Sequence, residues 1–290
     1  MRIDDIWCQE ALDIIKDVKA NVLITKMNVN YSYEECSKFD LIASPTTGLE
    51  HIDNRDIPLV SLKGETEFLN DVHASAEHTW ALIMALIRKV PMAHNDVCKG
   101  NWDREAWQGT ELHGKTLGIV GYGRVGKQVE RCARAFGMNI LICDPPTTIA
   151  EYHVTIPTYC RRDRELNMLL QESDIVTVHV PLNNETYSMF NAEQFEQMKP
   201  TAYFINTSRG AVVNEYALYR SLKDKQIAGA ALDVVLCEPN PWSAFIDYAN
   251  ENDNLILTPH IAGNTVESRK KTQLHIAQRI KGWSDAKGNI

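Results

Sequence analysis

The stretch Gly121-Tyr122-Gly123-Arg124-Val125-Gly126 constrains the fold of this chain more than any other. Upstream of it, Lys115 to Val120 (KTLGIV) has the composition of a buried parallel strand. Downstream, Val125 to Phe136 carries apolar residues at helical spacing, and Gly137 stands where such a helix stops. A strand, a glycine turn and a helix in that order is the setting in which G-x-G-x-x-G holds a dinucleotide. The first glycine makes the turn, the second lets a pyrophosphate approach the backbone, and the third lets the helix pack closely on the strand. The helix N-terminus then offers amides and a partial positive charge to phosphate. Gly121, Gly123 and Gly126 are therefore candidate cofactor contacts, although glycine turns are common and the hexapeptide alone is weak evidence.

The 290 residues suffice for one large domain or two moderate ones, each with its own core. A net charge of -8 argues against a nucleic-acid partner and favours a small molecule. No apolar run approaches the roughly 18 residues that a membrane span needs; Trp80 to Ile87 comes nearest and meets Arg88 and Lys89. The N-terminal MRIDDIWCQE lacks the basic and apolar regions of a secretory signal. Seven cysteines contain no C-x-x-C pair, so neither disulfides nor a bound metal are expected. A soluble α/β protein of the reducing cytoplasm fits these features.

In residues 1–70 short apolar strands alternate with helical stretches. Glu10 to Val18 and Tyr33 to Phe39 read as helices, and Val22 to Thr25, Leu41 to Ala43 and Leu59 to Leu62 as strands. Such alternation predicts a parallel sheet. Thr46, Thr47 and Gly48 follow the second of these strands, where open α/β sheets hold ligands; a plain polar turn is the alternative. Asp71 to Val90 predicts one long helix with Asp71 as its N-cap, Arg88 and Lys89 at its C-terminal end and Pro91 beyond. Residues 92–114 read as a polar arm in which Trp102 and Trp107 pack against a partner subunit or serve as local anchors. Beyond Lys115, strands are predicted at 117–121, 140–143, 175–180, 202–206, 229–233 and 255–258, and helices at 124–136, 191–199, 214–225 and 265–281. The expected division is 1–70 with 265–290 as one domain and 71–264 as the other, a doubly wound sheet.

Asp144 ends the strand after the glycine turn, close to the roughly 20-residue spacing at which an acidic residue binds the adenosine ribose and repels a 2′-phosphate. NAD is therefore the expected cofactor, with Arg161, Arg162 and Arg164 further along. Three later strands end in reactive side chains: Arg209 after Phe204 to Ser208, Asp233 and Glu238 after Ala230, and His260 after Leu257. Singly, these residues have plain explanations as a surface arginine, a helix cap and a core histidine. Together they converge on the carboxyl ends of the strands, where α/β sheets bind ligands.

The sequence resembles the D-isomer-specific 2-hydroxyacid dehydrogenases, and within them the phosphoglycerate dehydrogenases. The similarity runs from about Ser44 onward. It rests on GTELHGKTLGIVGYGRVG (109–126), HVPL (179–182), NTSRG (206–210), ALDV (231–234) and TPHIAG (258–263). The resemblance implies a Rossmann dinucleotide-binding domain and a flavodoxin-like substrate domain, the latter shortened by about 30 residues at its start and left with an exposed or partner-covered edge. It implies Arg209, Glu238 and His260 as catalytic residues. It also implies cofactor contacts from Arg124, Val125, Asp144, His179, Val180, Pro181, Thr186, Thr207, Ser208, Asp233, His260 and Gly263. Substrate contacts would come from Thr46, Thr47, Gly48, Arg209 and His260.

The expected reaction is hydride transfer between nicotinamide and C2 of a D-2-hydroxy acid. 3-Phosphoglycerate is the leading substrate, and reduction of glyoxylate or hydroxypyruvate is the alternative. A non-metabolic, NAD-sensing binding protein of the same fold is the third reading. The resemblance further implies a homodimer formed through the dinucleotide-binding domain; with the chain ending soon after the helix that contains His275, allosteric control by a serine-binding module is not expected.

Overall fold

The computed structural model describes residues 1–27, 29–144, 159, 160 and 163–288. The chain forms two compact units, residues 1–72 with 263–290, and residues 73–262.

The smaller unit is a four-stranded parallel sheet of β1 (Arg2–Ile3), β2 (Val22–Ile24), β3 (Leu41–Ser44) and β4 (Leu59–Ser61), hydrogen-bonded in chain order. Its helices are α1 (Gln9–Ile15), α2 (Tyr33–Cys36), α3 (Thr66–Leu69) and the C-terminal helix Val266–Gly288. Alternation along the strands divides two cores. Val22, Ile24, Leu41 and Ala43 face Ala11, Ile15, Ile276 and Ile280, while Leu23 and Ile42 face Tyr31 and Cys36. The two-residue β1 and the one-turn α3 were not legible in the sequence, because neither is long enough to show a period. The strand order is what a flavodoxin-like 2-1-3-4-5 sheet leaves when its second strand is absent. Both residues of the edge strand β1 are exposed.

The larger unit contains α4 (Ala74–Ile87), α5 (Val90–Cys98), β5 (Thr116–Val120), α6 (Arg124–Ala135), β6 (Asn139–Cys143), β7 (Tyr159–Cys160), α7 (Asp163–Glu172) and β8 (Ile175–Val178). It continues through α8 (Ala192–Gln197), β9 (Tyr203–Asn206), α9 (Glu215–Lys223), β10 (Gly229–Leu232), α10 (Ser243–Glu251) and β11 (Leu255–Leu257). All seven strands are parallel, in the order β11-β10-β9-β8-β5-β6-β7. Successive residues face opposite cores. Ile119, Ile142, Ile175 and Ile205 pack under α4 and α6, whereas Val120, Cys143, Val176 and Phe204 pack under Leu169, Phe195 and Leu218 of α7, α8 and α9. Helices on both faces make this a doubly wound sheet, and the order reverses between β5 and β8, the switch point at which such sheets bind ligands.

The long helix predicted from Asp71 to Val90 is corrected at both ends. It begins at Ala74 after His73, and it stops at Ile87 because Lys89 turns left-handed (φ 52°). Pro91 lies in the first turn of the next helix, α5, where its missing N–H costs nothing. Residues 92–98 of the expected arm are thus helical. Trp107 is a local anchor whose Nε1 donates to Asp96 at 3.0 Å, while Trp102 is 86% exposed.

Candidate active site

The glycine turn lies at the switch point. Gly121 has φ 93°, a conformation that only glycine adopts cheaply, and a Cβ there would meet the His179 carbonyl at 2.7 Å. A Cβ on Gly126 would meet the Gly121 oxygen at 2.3 Å, so α6 can approach β5 only with glycine there. Gly123 differs, since a Cβ there would have nothing within 4 Å. It opens onto space, and as N-cap of α6 it has no side chain to satisfy the first amides of the helix. Arg124 follows as the first helical residue, half-buried, and burial draws its pKa below the ordinary arginine value.

Asp144 follows β6. Its Oδ1 accepts the Tyr122 amide at 3.1 Å, tying the turn to the end of β6, and its buried Oδ2 has no hydrogen-bond partner among the described residues. A carboxylate oxygen left this way needs a donor, and a ribose hydroxyl supplies one. The open cradle over Gly123 and the unsatisfied Asp144 oxygen fit a dinucleotide. Arg161, Arg162 and the side chain of Arg164 lie outside the described residues.

Across the switch point, the His179 amide donates to Val120 at 2.7 Å, and its Nε2 lies 3.0 Å from Thr177 Oγ1. Burial pushes its pKa down to about 3, so the ring is neutral. Val180 and Pro181 lead into a turn closed by Thr186, whose hydroxyl donates to the Pro181 carbonyl at 2.6 Å and accepts the Asn183 amide at 2.9 Å.

The other candidates gather where β9, β10 and β11 end side by side, with Asn206 opposite Leu232 and Leu232 opposite Leu257. Asn206 folds the turn after β9. Its Oδ1 accepts the Ser208 amide at 3.0 Å and hydroxyl at 2.8 Å, and its Nδ2 donates to the Arg209 carbonyl at 3.0 Å. Arg209 donates through Nη1 to the Ser208 carbonyl at 2.7 Å. Thr207 Oγ1 lies 2.9 Å from Thr79 Oγ1 of α4.

Asp233 holds the neighbouring loop. Its carbonyl accepts the His260 amide at 2.8 Å, Oδ1 the Ile261 amide at 2.9 Å and Oδ2 the Ala262 amide at 2.8 Å. Three consecutive amides on one residue keep His260 in its left-handed conformation (φ 54°), which a non-glycine residue does not hold unaided. Thr258 Oγ1 also donates to Oδ1 at 2.6 Å, and His78 Nε2 of α4 lies 3.2 Å from it. Burial alone would raise the Asp233 pKa, but the bonds from His78, Thr258, Ile261 and Ala262 outweigh it and keep the carboxyl below the ordinary range.

His260 Nδ1 lies 2.6 Å from Glu238 Oε2, and Glu238 Oε1 accepts the Val235 amide at 3.0 Å. With Nδ1 committed to the carboxylate, Nε2 is the ring nitrogen left for exchange of a proton.

Thr46, Thr47, Gly48 and Gly263 belong to the smaller unit. Thr46 Oγ1 donates to the Gly48 carbonyl at 2.7 Å, and the Thr47 and Gly48 amides have no hydrogen-bond partner among the described residues. Gly263 is exposed. The sequence did not single out His78, Thr79 or Glu215. The first two sit in an apolar helix and the third at a helix start, where each has an ordinary local explanation.

Residues 80–262 match the model of the D-isomer specific 2-hydroxyacid dehydrogenase NAD binding domain. The chain is 34% identical to a D-3-phosphoglycerate dehydrogenase of Synechocystis, over 94% of this chain and 48% of that one. It is 35% identical to a glyoxylate reductase of Korarchaeum cryptofilum, over 95% and 85%. Among solved structures, D-lactate dehydrogenase from Aquifex aeolicus complexed with NAD and lactic acid is similar with a TM-score of 0.76 and 27% identity, covering 96% of this chain and 91% of that one. The chain spans about half the length of the curated phosphoglycerate dehydrogenases it matches.

Proposed function

Because this chain belongs to the D-isomer specific 2-hydroxyacid dehydrogenases, we propose that it transfers hydride between NAD and C2 of a D-2-hydroxy acid, with His260 moving the hydroxyl proton. The observation that carries this reading is the 2.6 Å contact between Glu238 and His260 on a loop pinned by Asp233. In oxidation His260 Nε2 takes the proton from the substrate hydroxyl. Glu238 keeps the proton on Nδ1 and favours the imidazolium as it forms. Arg209 grips the substrate carboxylate through its planar fork and polarises the C2 oxygen. NAD, when bound, supplies the hydride acceptor. The Gly123 cradle and Asp144 hold its pyrophosphate and ribose, His179 to Pro181 and Thr186 line its adenine side, and Thr207, Ser208 and Asp233 its nicotinamide side.

3-Phosphoglycerate is the substrate of first choice, supported by relatives named D-3-phosphoglycerate dehydrogenase; relatives named glyoxylate reductase support the second. A panel of 2-oxo acids with NADH tests this order. Turnover of 3-phosphohydroxypyruvate above glyoxylate and hydroxypyruvate is expected, and no turnover of any member would leave the NAD-sensing binding protein as the better reading. His260→Ala is expected to lose most turnover while still binding NADH, and unchanged turnover would remove His260 from this role.

The protein acts as a homodimer through the larger unit. α5 has no buried residue; Val90 and Val97 on it are 57% and 47% exposed, and Trp102 beyond it is 86% exposed, apolar surface that a second copy would cover. Sedimentation should give a dimer that Trp102→Glu weakens; a monomer at all concentrations would refute it. Free cysteines and the lack, among the described residues, of any helix long and apolar enough to cross a membrane suit a cytoplasmic setting.

A further inference from the structure

Glu238 is carried by a turn whose two consecutive amides are held by two different carboxylates. The Val235 amide donates to Glu238 Oε1 at 3.0 Å, and the Leu236 amide donates to Glu215 Oε1. Glu215 is the first residue of α9, and capping of that helix does not need its side chain, because the Asn214 side chain already accepts the Ala217 amide at 3.0 Å. α9 is itself a firm base, with Ala217, Leu218 and Leu222 buried in the core beneath the sheet. The same two turn residues are pressed from another side by Gly210, where a Cβ would lie 2.1 Å from the Val235 carbonyl carbon. The turn is thus gripped by α9 on one side and by the Arg209–Gly210 segment on another.

We propose that Glu215 is a positioning residue for the Glu238–His260 pair: by holding the Leu236 amide it fixes the turn, and so aims Glu238 Oε2 at His260 Nδ1. Burial pushes the Glu215 carboxyl up. The Leu236 amide opposes that rise and the negative charge of Glu238 adds to it. Glu238 is the titratable group, among the described residues, whose charge acts on Glu215. A carboxyl half-buried beside a second carboxyl is an unfavourable arrangement that an incidental surface residue would not adopt, and the Leu236 bond is what holds it.

This inference rests on the roles given above to Glu238 and His260, and its test separates the two. Glu215→Ala, Glu215→Gln, Glu238→Gln and the Glu215→Ala/Glu238→Gln double variant are assayed with NADH and the best 2-oxo acid of the panel. Loss of the turn's anchor should lower kcat by roughly 10- to 100-fold in Glu215→Ala, the scale of an ångström-sized misplacement, with KM for NADH unchanged. Glu215→Gln keeps an acceptor oxygen and should recover turnover to within about threefold of wild type. In the Glu238→Gln background, Glu215→Ala should add nothing further.

A second readout needs no turnover. The Nδ1 proton of His260, hydrogen-bonded to Glu238, should give a low-field proton resonance in wild type and Glu215→Gln that is absent in Glu215→Ala. If Glu215→Ala fails to fold, Glu215→Asp withdraws the carboxylate by one methylene and carries the same expectation. A kcat within about twofold of wild type with the resonance retained would overturn the proposal. If wild type turns over no member of the panel, the hydride-transfer reading fails, while the resonance still decides the role of Glu215.

Discussion

Replacing Gly210 with alanine tests how closely the site must be packed. Its backbone dihedrals suit any residue, so the cost lies in space and not in torsion. A Cβ would meet the Val235 carbon at 2.1 Å, its oxygen at 2.2 Å and the Leu236 nitrogen at 2.6 Å. Ordinary contact needs about 3.5 Å, so the Arg209 segment and the turn carrying Glu238 must part by about 1 Å or more. Both are backbone, and no side chain can swing away to relieve the clash. Overpacking of this kind costs about 1–3 kcal/mol. In a unit of this size that corresponds to a fall in Tm of roughly 2–12 °C. The same displacement separates Arg209 from the Glu238–His260 pair, and misplacement by about 1 Å costs on the order of 100-fold in rate. Cofactor affinity should fall less than turnover, because the glycine turn follows β5, which β8 separates from β9, while the nicotinamide-side residues Thr207 and Ser208 share the displaced segment. Thermal melts, NADH fluorescence titration and steady-state kinetics measure the three quantities. A Gly210→Ala protein with wild-type Tm and turnover within about twofold of wild type would refute the reasoning, since the clash would then have been absorbed without moving either segment.

Gly123→Ala should behave in the opposite way: with φ -72° and nothing within 4 Å, the fold accepts the methyl group, and Tm should stay within about 1 °C while NADH affinity drops about tenfold. Equal affinity in melt-matched proteins would mean that nothing approaches the backbone there. Asp144→Ala should shift the ratio of kcat/KM for NADH over NADPH toward NADPH by about tenfold or more, and an unchanged ratio would count against a ribose contact. For His179 the folded pKa lies at about 3, below the ordinary value of about 6.5, so between these pH values the unfolded chain binds a proton that the folded chain refuses. Stability therefore rises with pH across that window, and it is lost as pH falls from about 6.5 toward about 3. Denaturant midpoints at neutral and acid pH should fall less steeply for His179→Gln than for wild type, and parallel slopes would show that burial does not hold this ring neutral.

The doubly wound sheet was legible because each of its main strands is a short apolar run and the helices between them keep a 3.6-residue period, so local sequence and tertiary burial agree. The glycine turn was legible for a related reason, as Gly121 and Gly126 occupy positions where a Cβ would strike backbone and other residues are excluded outright. Where local signals misled, the tertiary structure decided. Pro91 reads as the stop of the long helix from Asp71, but the left-handed Lys89 ends that helix and Pro91 lies in the first turn of the next. Tyr159–Cys160 and Ser243–Glu251 escaped notice because one is too short to show alternation and the other follows a run of prolines and polar residues that reads as loop.

The candidate site divides along the same line. Arg209, Glu238 and His260 stand out in the sequence as reactive residues after strand ends, since chain order and strand position alone place them there. The alignment of those strand ends, the three amides gathered by Asp233, the approach of His78 from α4 and the hold of Glu215 on Leu236 all join segments far apart in the chain. Such contacts leave no period and no local composition to read. They arise only when the packed sheet has brought β9, β10 and β11 side by side, which is why the candidate residues were visible in the sequence and their supports were not.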